Sequence, residues 1–309
     1  MHVAILSQST TVYSTSRLVD CCLKRGHTVE AVNPLRCALR VQIDGLDISY
    51  QERRVAGVDV VIPRIDPAIT AVGTAVLSQF EAMGVWSLNE SAAIHRSRDK
   101  LRALQLLAKA GVPIPNTVYG ETISCIKQLM ARAGSVVIKP VRGSKGQGVV
   151  VVNTVEGARS AIEQFVRSGT RCLIQEFVGD RTAACDIRCF VVGDHLIAAM
   201  IRTAKTGELR ANIHLGAKAK AVTVNHEERA MCLRAVHALG LTVAGVDLIR
   251  SPRGVLVLEV NSSPGLEGIE KATQCDVADA MIAYAEQQHT KRNSKTTAIR
   301  MTCRGHPDA

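Results

Sequence analysis

No stretch of the 309-residue sequence approaches the roughly 20 consecutive apolar residues needed to cross a bilayer. The apolar run from Val3 to Leu6 is too short for the core of a signal peptide, and no small-residue cleavage site follows it. A soluble, cytoplasmic protein is therefore expected. The ten cysteines include no CxxC pair; Cys21 and Cys22 are adjacent, Cys185 and Cys189 lie four apart, and neither spacing suits a zinc site. Free thiols in a reducing cytosol are the expectation. Gln8-Ser9-Thr10-Thr11 follows the first apolar strand where a dinucleotide-binding protein would carry GxGxxG, so that reading loses its main support. No GxxxxGK[ST] loop occurs, and no internal repeat is visible. Acidic residues are the scarcer sign, 28 against 38 lysines and arginines, which gives a net charge of +10. Such an excess attracts nucleotides, nucleic acid or acidic peptides. Part of it is local: the tail from His289 carries Lys291, Arg292, Lys295, Arg300 and Arg304 against Asp308. That tail is expected to be disordered, either as a solvating end or as a weak electrostatic arm for RNA or a ribosomal surface.

What the chain does have is 47% hydrophobic residues, enough for a large core spread over roughly two or three domains. Strands are expected over 2–7, 28–33 and 59–65, with helices over 15–25 and 70–83 between and after them. Strands alternating with helices imply a parallel sheet. A helix over 97–110 follows, with Leu101, Leu104 and Leu107 at helical spacing, then another over 122–133. Strands over 136–140 and 148–152 flank a glycine-rich loop, followed by a helix over 156–167 and a strand over 172–178. Two hairpins are expected: 186–192 with 195–203, and 243–250 with 255–261, separated by a helix over 227–239. A final helix spans about 269–287. The domains are read as 1–95, 96–174, 175–288 and the basic tail 289–309.

The strongest local signal is Asp247 with Glu259-Val260-Asn261. Residues two apart in a strand share a face, and the turn Ser251-Pro252-Arg253-Gly254 brings Asp247 nearly opposite Glu259. Two carboxylates that close repel unless a cation lies between them. An all-oxygen set suits magnesium. The flanking residues are strongly apolar, and buried strands do not carry carboxylates without a reason. The second signal is Lys139 to Gly148, where Gly143, Gly146 and Gly148 let backbone N–H groups approach a phosphate; a flexible hairpin turn explains the glycines equally well. Lys139 ends the apolar run Val136-Val137-Ile138 and would reach toward an anion. Gln175-Glu176-Phe177-Val178 is either a strand end or an inter-lobe linker whose backbone holds adenine. Arg210-Ala211-Asn212 is either an exposed loop or an arginine and an asparagine aimed at phosphates and metal.

Together these elements resemble the ATP-grasp superfamily, and within it the RimK group, which adds glutamate to the C-terminus of a small-subunit ribosomal protein. The resemblance runs nearly the full chain, through Ala4-Ile5-Leu6-Ser7, Val61 to Ile65, Leu88-Asn89-Glu90-Ser91, Arg98 to Arg102, Cys185 to Cys189 and Val243 to Asp247. Its most specific stretch is Glu259-Val260-Asn261-Ser262-Ser263-Pro264-Gly265-Leu266-Glu267-Gly268-Ile269-Glu270-Lys271. The resemblance implies an α/β ATP-grasp fold with an N-terminal parallel domain, a small central lid lobe and a C-terminal mixed-sheet domain. It implies that Lys139 and Lys100 contact ATP phosphate, with Gly143, Ser144, Gly146 and Gly148 in the phosphate loop. Gln175 to Val178 would hold adenine, Asp186 would lie near the ribose, and Arg210, Ala211 and Asn212 would sit at the phosphates. Lys139 and Arg210 would be the catalytic cations. Asp247, Glu259 and Asn261 would hold two Mg2+ ions, for which Mn2+ can substitute, with Glu259 bridging. Arg64 and Arg188 would position substrate carboxylates.

The chain departs from the group's pattern at Ala211, at Leu215-Gly216-Ala217 and at Lys145. The last two bear on substrate choice more than on ATP use. The implied reaction forms an acyl phosphate and ADP, after which an amine displaces phosphate. The implied partners are ATP, glutamate and an acidic protein C-terminus, in a chain that can form a homo-oligomer. Alternatives are a sister ligase acting on an amino-acid carrier protein or a cofactor, and a non-catalytic nucleotide-binding regulator of ribosomes or RNA.

Overall fold

A computed structural model describes residues 1–120, 123–143, 147–179, 185–204 and 218–302, and in the last helix side chains as far as Ser294. The chain divides into two compact units, 1–90 with 276 onward, and 91–275.

The first unit begins with β1 (His2–Leu6), α1 (Tyr13–Lys24) and β2 (Thr28–Val32). β1 is a continuous apolar run buried from Val3 to Leu6, as a central parallel strand must be. After β3 (Cys37–Gln42), β4 (Gly45–Tyr50) and β5 (Arg53–Arg54) come β6 (Val60–Pro63), α2 (Thr70–Ala82) and β7 (Trp86–Ser87). β2, β1, β6 and β7 form the expected parallel sheet in that order. β3, β4 and β5 form a separate antiparallel sheet that the sequence pattern does not announce. Most of β3 is exposed, so no buried stripe marks it. α2 fastens this sheet through the Gln79 amide, which donates to the carbonyls of Arg40 at 2.8 Å and Asp47 at 3.0 Å.

The second unit opens with α3 (Ser91–Arg98) and α4 (Lys100–Lys109). The single helix expected over 97–110 is broken here because Asp99 leaves helical geometry and caps α4, accepting from the Arg102 N–H at 2.9 Å. Then follow β8 (Thr117–Val118), α5 (Ile123–Ala133), β9 (Val136–Pro140), β10 (Val150–Val152), α6 (Val155–Arg167) and β11 (Cys172–Glu176). Their strands make a small antiparallel sheet ordered β10-β9-β11-β8. The larger sheet, ordered β14-β13-β12-β15-β16, is built from β12 (Cys185–Val192), β13 (His195–Thr203), β14 (Lys218–Ala221), β15 (Val243–Ser251) and β16 (Gly254–Asn261). α7 (His226–Leu239) covers it, fixed at one end by a capping box between Asn225 and Glu228 and at the other by left-handed Gly240. α8 (Glu267–Thr273) closes the unit.

α9 (Val277–Thr302) returns to the first unit. The last helix expected over 269–287 is thus two helices. Gln274 turns left-handed, and the Asp276 side chain accepts the Asp279 N–H at 2.9 Å to start the second. α9 also continues past His289, through the first part of the segment expected to be a disordered tail. Arg25, the C-cap of α1, clamps it, pairing with Asp279 and Glu286 at 2.7 Å each.

Candidate active site

β9 alternates buried and half-buried residues and ends on Lys139-Pro140. Leu173 of β11 pairs with Lys139, and a patch of Leu104, Val141 and Leu173 packs α4 against this strand end. Two lysines are thereby brought to the start of the glycine loop. Lys139 Nζ donates to Gln175 Oε1 at 2.8 Å, and Lys100 Nζ donates to the Gly143 carbonyl at 2.8 Å. Gly143 and Gly148 both have positive φ, 144° and 70°, and a side chain added at either would meet Pro140. Burial pulls the Lys139 ammonium down to about 8; Glu259 opposes this and Lys100 adds to it.

The carboxylate end lies on one face of the larger sheet. Asp247 pairs across the ladder with Glu259, as the hairpin reading expects, and Gly245 pairs with Asn261. The register slips by one residue beside Asp247, so that Leu258 is an extra residue in β16. This bulge lets Val257 and Val260, three apart, both enter the core while Glu259 and Asn261 stay on Asp247's face. Asp247 is buried and charge-balanced. Arg188 forks onto it with Nε and Nη2, each at 2.7 Å, and Arg202 Nη2 reaches it at 3.0 Å. Arg202 also forks onto Asp186 at 2.6 and 2.7 Å. Burial raises the Asp186 carboxyl to about 6, with repulsion from Asp247 adding to it and Arg202 opposing. Burial would raise Asp247 too, but the Arg188 and Arg202 charges hold it below the usual carboxylate range.

These residues fit a divalent cation. Among the described residues no three of His, Cys, Asp and Glu gather as a metal site, so the set is two carboxylates and an amide. The Asn261 amide donates to Glu259 Oε1 at 2.9 Å and accepts from Arg188 Nη2 at 3.1 Å, which keeps its oxygen on the carboxylate face of the sheet. Oxygen-only donors are those of a hard ion.

Glu176, at the end of β11, is anchored as well. It accepts from the Asn116 N–H at 2.8 Å, from Asn116 Nδ2 at 3.0 Å and from Arg253. The Glu176 and Phe177 N–H groups donate to the carbonyls of Asn116 and Ser135. Arg64 belongs to the first unit, and its N–H donates to the Leu6 carbonyl at 2.9 Å. Ser144, Gly146, Arg210, Ala211 and Asn212 lie outside the described residues, as do Lys145 and Leu215-Gly216-Ala217. Sequence reasoning missed Arg202, Arg253 and Asn116. Arg202 did carry a signal: it is a charge at the end of the apolar run Leu196 to Ile201, the same anomaly that singles out Asp247.

Two family models cover the chain, the RimK PreATP-grasp domain over residues 1–94 and the RimK-like ATP-grasp domain over residues 97–285. The chain belongs to the RimK-like ATP-grasp family. Among similar proteins of this family is a probable alpha-L-glutamate ligase 2 of Shewanella frigidimarina, 47% identical over 293 residues, covering 94% of this chain and 98% of the relative. A probable alpha-L-glutamate ligase of Vibrio cholerae is 46% identical over 298 residues, covering 96% and 99%. The RimK-like chain is thus an ATP-grasp ligase, in a group whose curated relatives carry glutamate-ligase names. Its fold is that of ATP-grasp enzymes. The ligase PsnB, solved with a phosphomimetic variant of its minimal precursor, Mg and ADP, superposes with a TM-score of 0.72 at 21% identity, covering 93% of this chain and 98% of PsnB. A RimK domain ATP-grasp protein of Sphaerobacter thermophilus gives 0.70 at 21%, covering 92% and 99%. Among the described residues no helix of this RimK-like ligase is long and apolar enough to cross a membrane.

Proposed function

We propose that this ligase adds glutamate, at the expense of ATP, to the acidic C-terminus of a small-subunit ribosomal protein. The observation that carries the reading is the placement, within one unit, of Lys100 and Lys139 at a glycine loop and of Asp247, Glu259 and Asn261 on the facing strands' shared side. Phosphoryl transfer needs positioning and charge neutralisation more than covalent catalysis. Lys139 and Lys100 would offset the charge of the phosphates. Asp247, Glu259 and Asn261 would hold two Mg2+ ions, which supply charge neutralisation at the transferring phosphoryl group; Mn2+ could replace them. The adenine would contact backbone groups of 175–178 other than the two N–H groups already engaged. Arg210 and Asn212 would complete the phosphate end.

The acceptor's terminal carboxylate attacks the γ-phosphorus, the bond to the bridging oxygen breaks, and ADP leaves. The amine of glutamate then attacks the acyl carbon, phosphate departs with the bonding pair, and the amine's proton is lost. Each round regenerates a terminal carboxylate, so repeated addition is chemically allowed. The net charge of +10 favours an acidic acceptor, and Arg64 would help to hold it. Arg188 would reach substrate carboxylate only by sharing its fork with Asp247. The work would be done in the cytoplasm, where acceptor and ATP meet.

The test is to assay the ribosomal protein with its native acidic C-terminus and with that terminus trimmed, following mass increments of glutamate. Modification of the native form alone is expected, with ADP as the nucleotide product. Hydroxylamine should trap a hydroxamate. Equal modification of both forms, or ready ligation of a small-molecule substrate instead, would move the assignment to a carrier-protein or cofactor ligase. AMP and pyrophosphate would exclude an acyl phosphate.

A further inference from the structure

Arg202 is 5% exposed, on a strand otherwise apolar from Leu196 to Ile201. A buried guanidinium is costly unless every partner is in place. Its Nε and one Nη occupy both oxygens of Asp186, and the same Nη2 extends to Asp247 Oδ2. Asp247 thus receives three N–H bonds, two from Arg188 and one from Arg202. A carboxylate offers about four acceptor sites, so about one remains open. The charges balance in the same sense. Asp186, Asp247 and Glu259 are opposed by Arg188 and Arg202, which leaves a single negative charge, and Lys139 acts on Glu259 from the glycine-loop side.

We propose that Arg202 is a positioning residue that prevents the carboxylate site from holding a divalent cation by itself, so that the cation is held only together with the nucleotide's phosphates. This rests on the ligase reading above and adds an order of loading to it. Magnesium-like ions give up water reluctantly and need strong negative charge in return. Carboxylates already satisfied by two guanidinium groups do not provide it; polyphosphate does. Arg202 is the fixed member of the pair, because withdrawing it would strand Asp186 as well as Asp247.

Manganese is the probe, measured by the paramagnetic resonance of the unbound ion, with the full-length chain and with or without ADP. The wild-type protein should bind Mn2+ at least tenfold more weakly without ADP than with it. Arg202→Met should raise nucleotide-free Mn2+ affinity by at least about tenfold, because it removes a unit positive charge from beside a carboxylate ligand, while kcat falls. Asp186→Asn should act in the opposite sense, leaving Arg202 wholly to Asp247 and weakening nucleotide-free binding below that of wild type. A merely structural role would not produce opposite signs. Circular dichroism checks folding; if Arg202→Met does not fold, Arg188→Met removes a charge from the same carboxylate and should show the same gain. A folded variant without that gain, or wild-type binding indifferent to ADP, overturns the proposal. Wild-type protein that binds no Mn2+ even with ADP would instead sink the ligase-site reading on which it rests.

Discussion

The two antiparallel sheets of the second unit hold charge in different ways. The small sheet rests on seven buried residues among those described, from Ile126 and Leu129 to Ile174, and offers a lysine, a glutamine partner and a glycine loop. The larger sheet rests on nineteen and carries carboxylates pinned by arginines. The lysine's charge is soft, drawn down to about 8 by burial, whereas Asp247 is held ionised from two sides. The contrast fits a division of labour under the proposed function. On the proposed reading, a phosphate that must be approached and released is met by glycine backbone and two ammonium groups, and a metal ion that needs fixed geometry is met by neighbouring strands over a large core.

The hardest test of this contrast removes one ligand from the rigid sheet. Glu259→Ala should reduce turnover by several orders of magnitude, roughly a thousandfold or more, as expected when transition-state charge stabilisation is lost. Its melting temperature should change little, because Glu259 is only half-buried. Glu259→Gln should also be severely impaired. Near-normal turnover by either variant would end the claim that this sheet holds the metal.

On the soft side the effect should be smaller and pH-dependent. Lys139→Ala should cost roughly a hundredfold in kcat/KM for ATP, from the loss of one positioned cation. In the free wild-type protein the ammonium discharges as pH rises through about 8. ADP affinity, followed by calorimetry, should therefore fall over that range. Lys139→Arg, which stays charged, should show no such fall. An identical fall in the arginine variant would assign the titration to another group.

The smallest effect concerns the residue joining the two sheets. Arg253, at the tip of the β15–β16 turn, pairs with Glu176 at the end of β11. Burial alone would raise the Glu176 carboxyl, but the Asn116 N–H, Arg253 and the Asn116 side chain outweigh it and hold it below the usual range. A depressed carboxylate contributes stability above its unfolded pKa and loses it as pH falls through the folded one. Arg253→Ala should destabilise by about 1 kcal/mol, discounted because the arginine is half exposed, and the acid-side loss should begin at higher pH. Urea unfolding over a pH series measures both; an unchanged acid limb would mean that Asn116 alone holds Glu176.

Much of the site was legible because burying charge is costly. Lys139 closing an apolar run and Asp247 inside one were visible as anomalies, and both hairpins of the larger sheet follow from short polar turns between apolar strands. The β3–β4–β5 sheet was not legible, since its strands bury little. Nor were the helix breaks at Asp99 and Asp276, where a capping side chain overrides a continuous apolar pattern.

By itself the sequence determined that a hairpin would carry Asp247, Glu259 and Asn261, because the turn residues and the apolar strands are local. It could not determine the pairing. Counting back from the Ser251–Gly254 pair, an unbroken ladder would set Leu258 opposite Asp247 and turn Glu259 to the other face. Only the tertiary structure inserts the bulge, because Val257 and Val260 must both reach one core under α7. The partners of Asp247 were likewise decided by the sheet. Arg188 and Arg202 are 59 and 45 residues away in sequence, and strand order alone brings their guanidinium groups to its carboxylate.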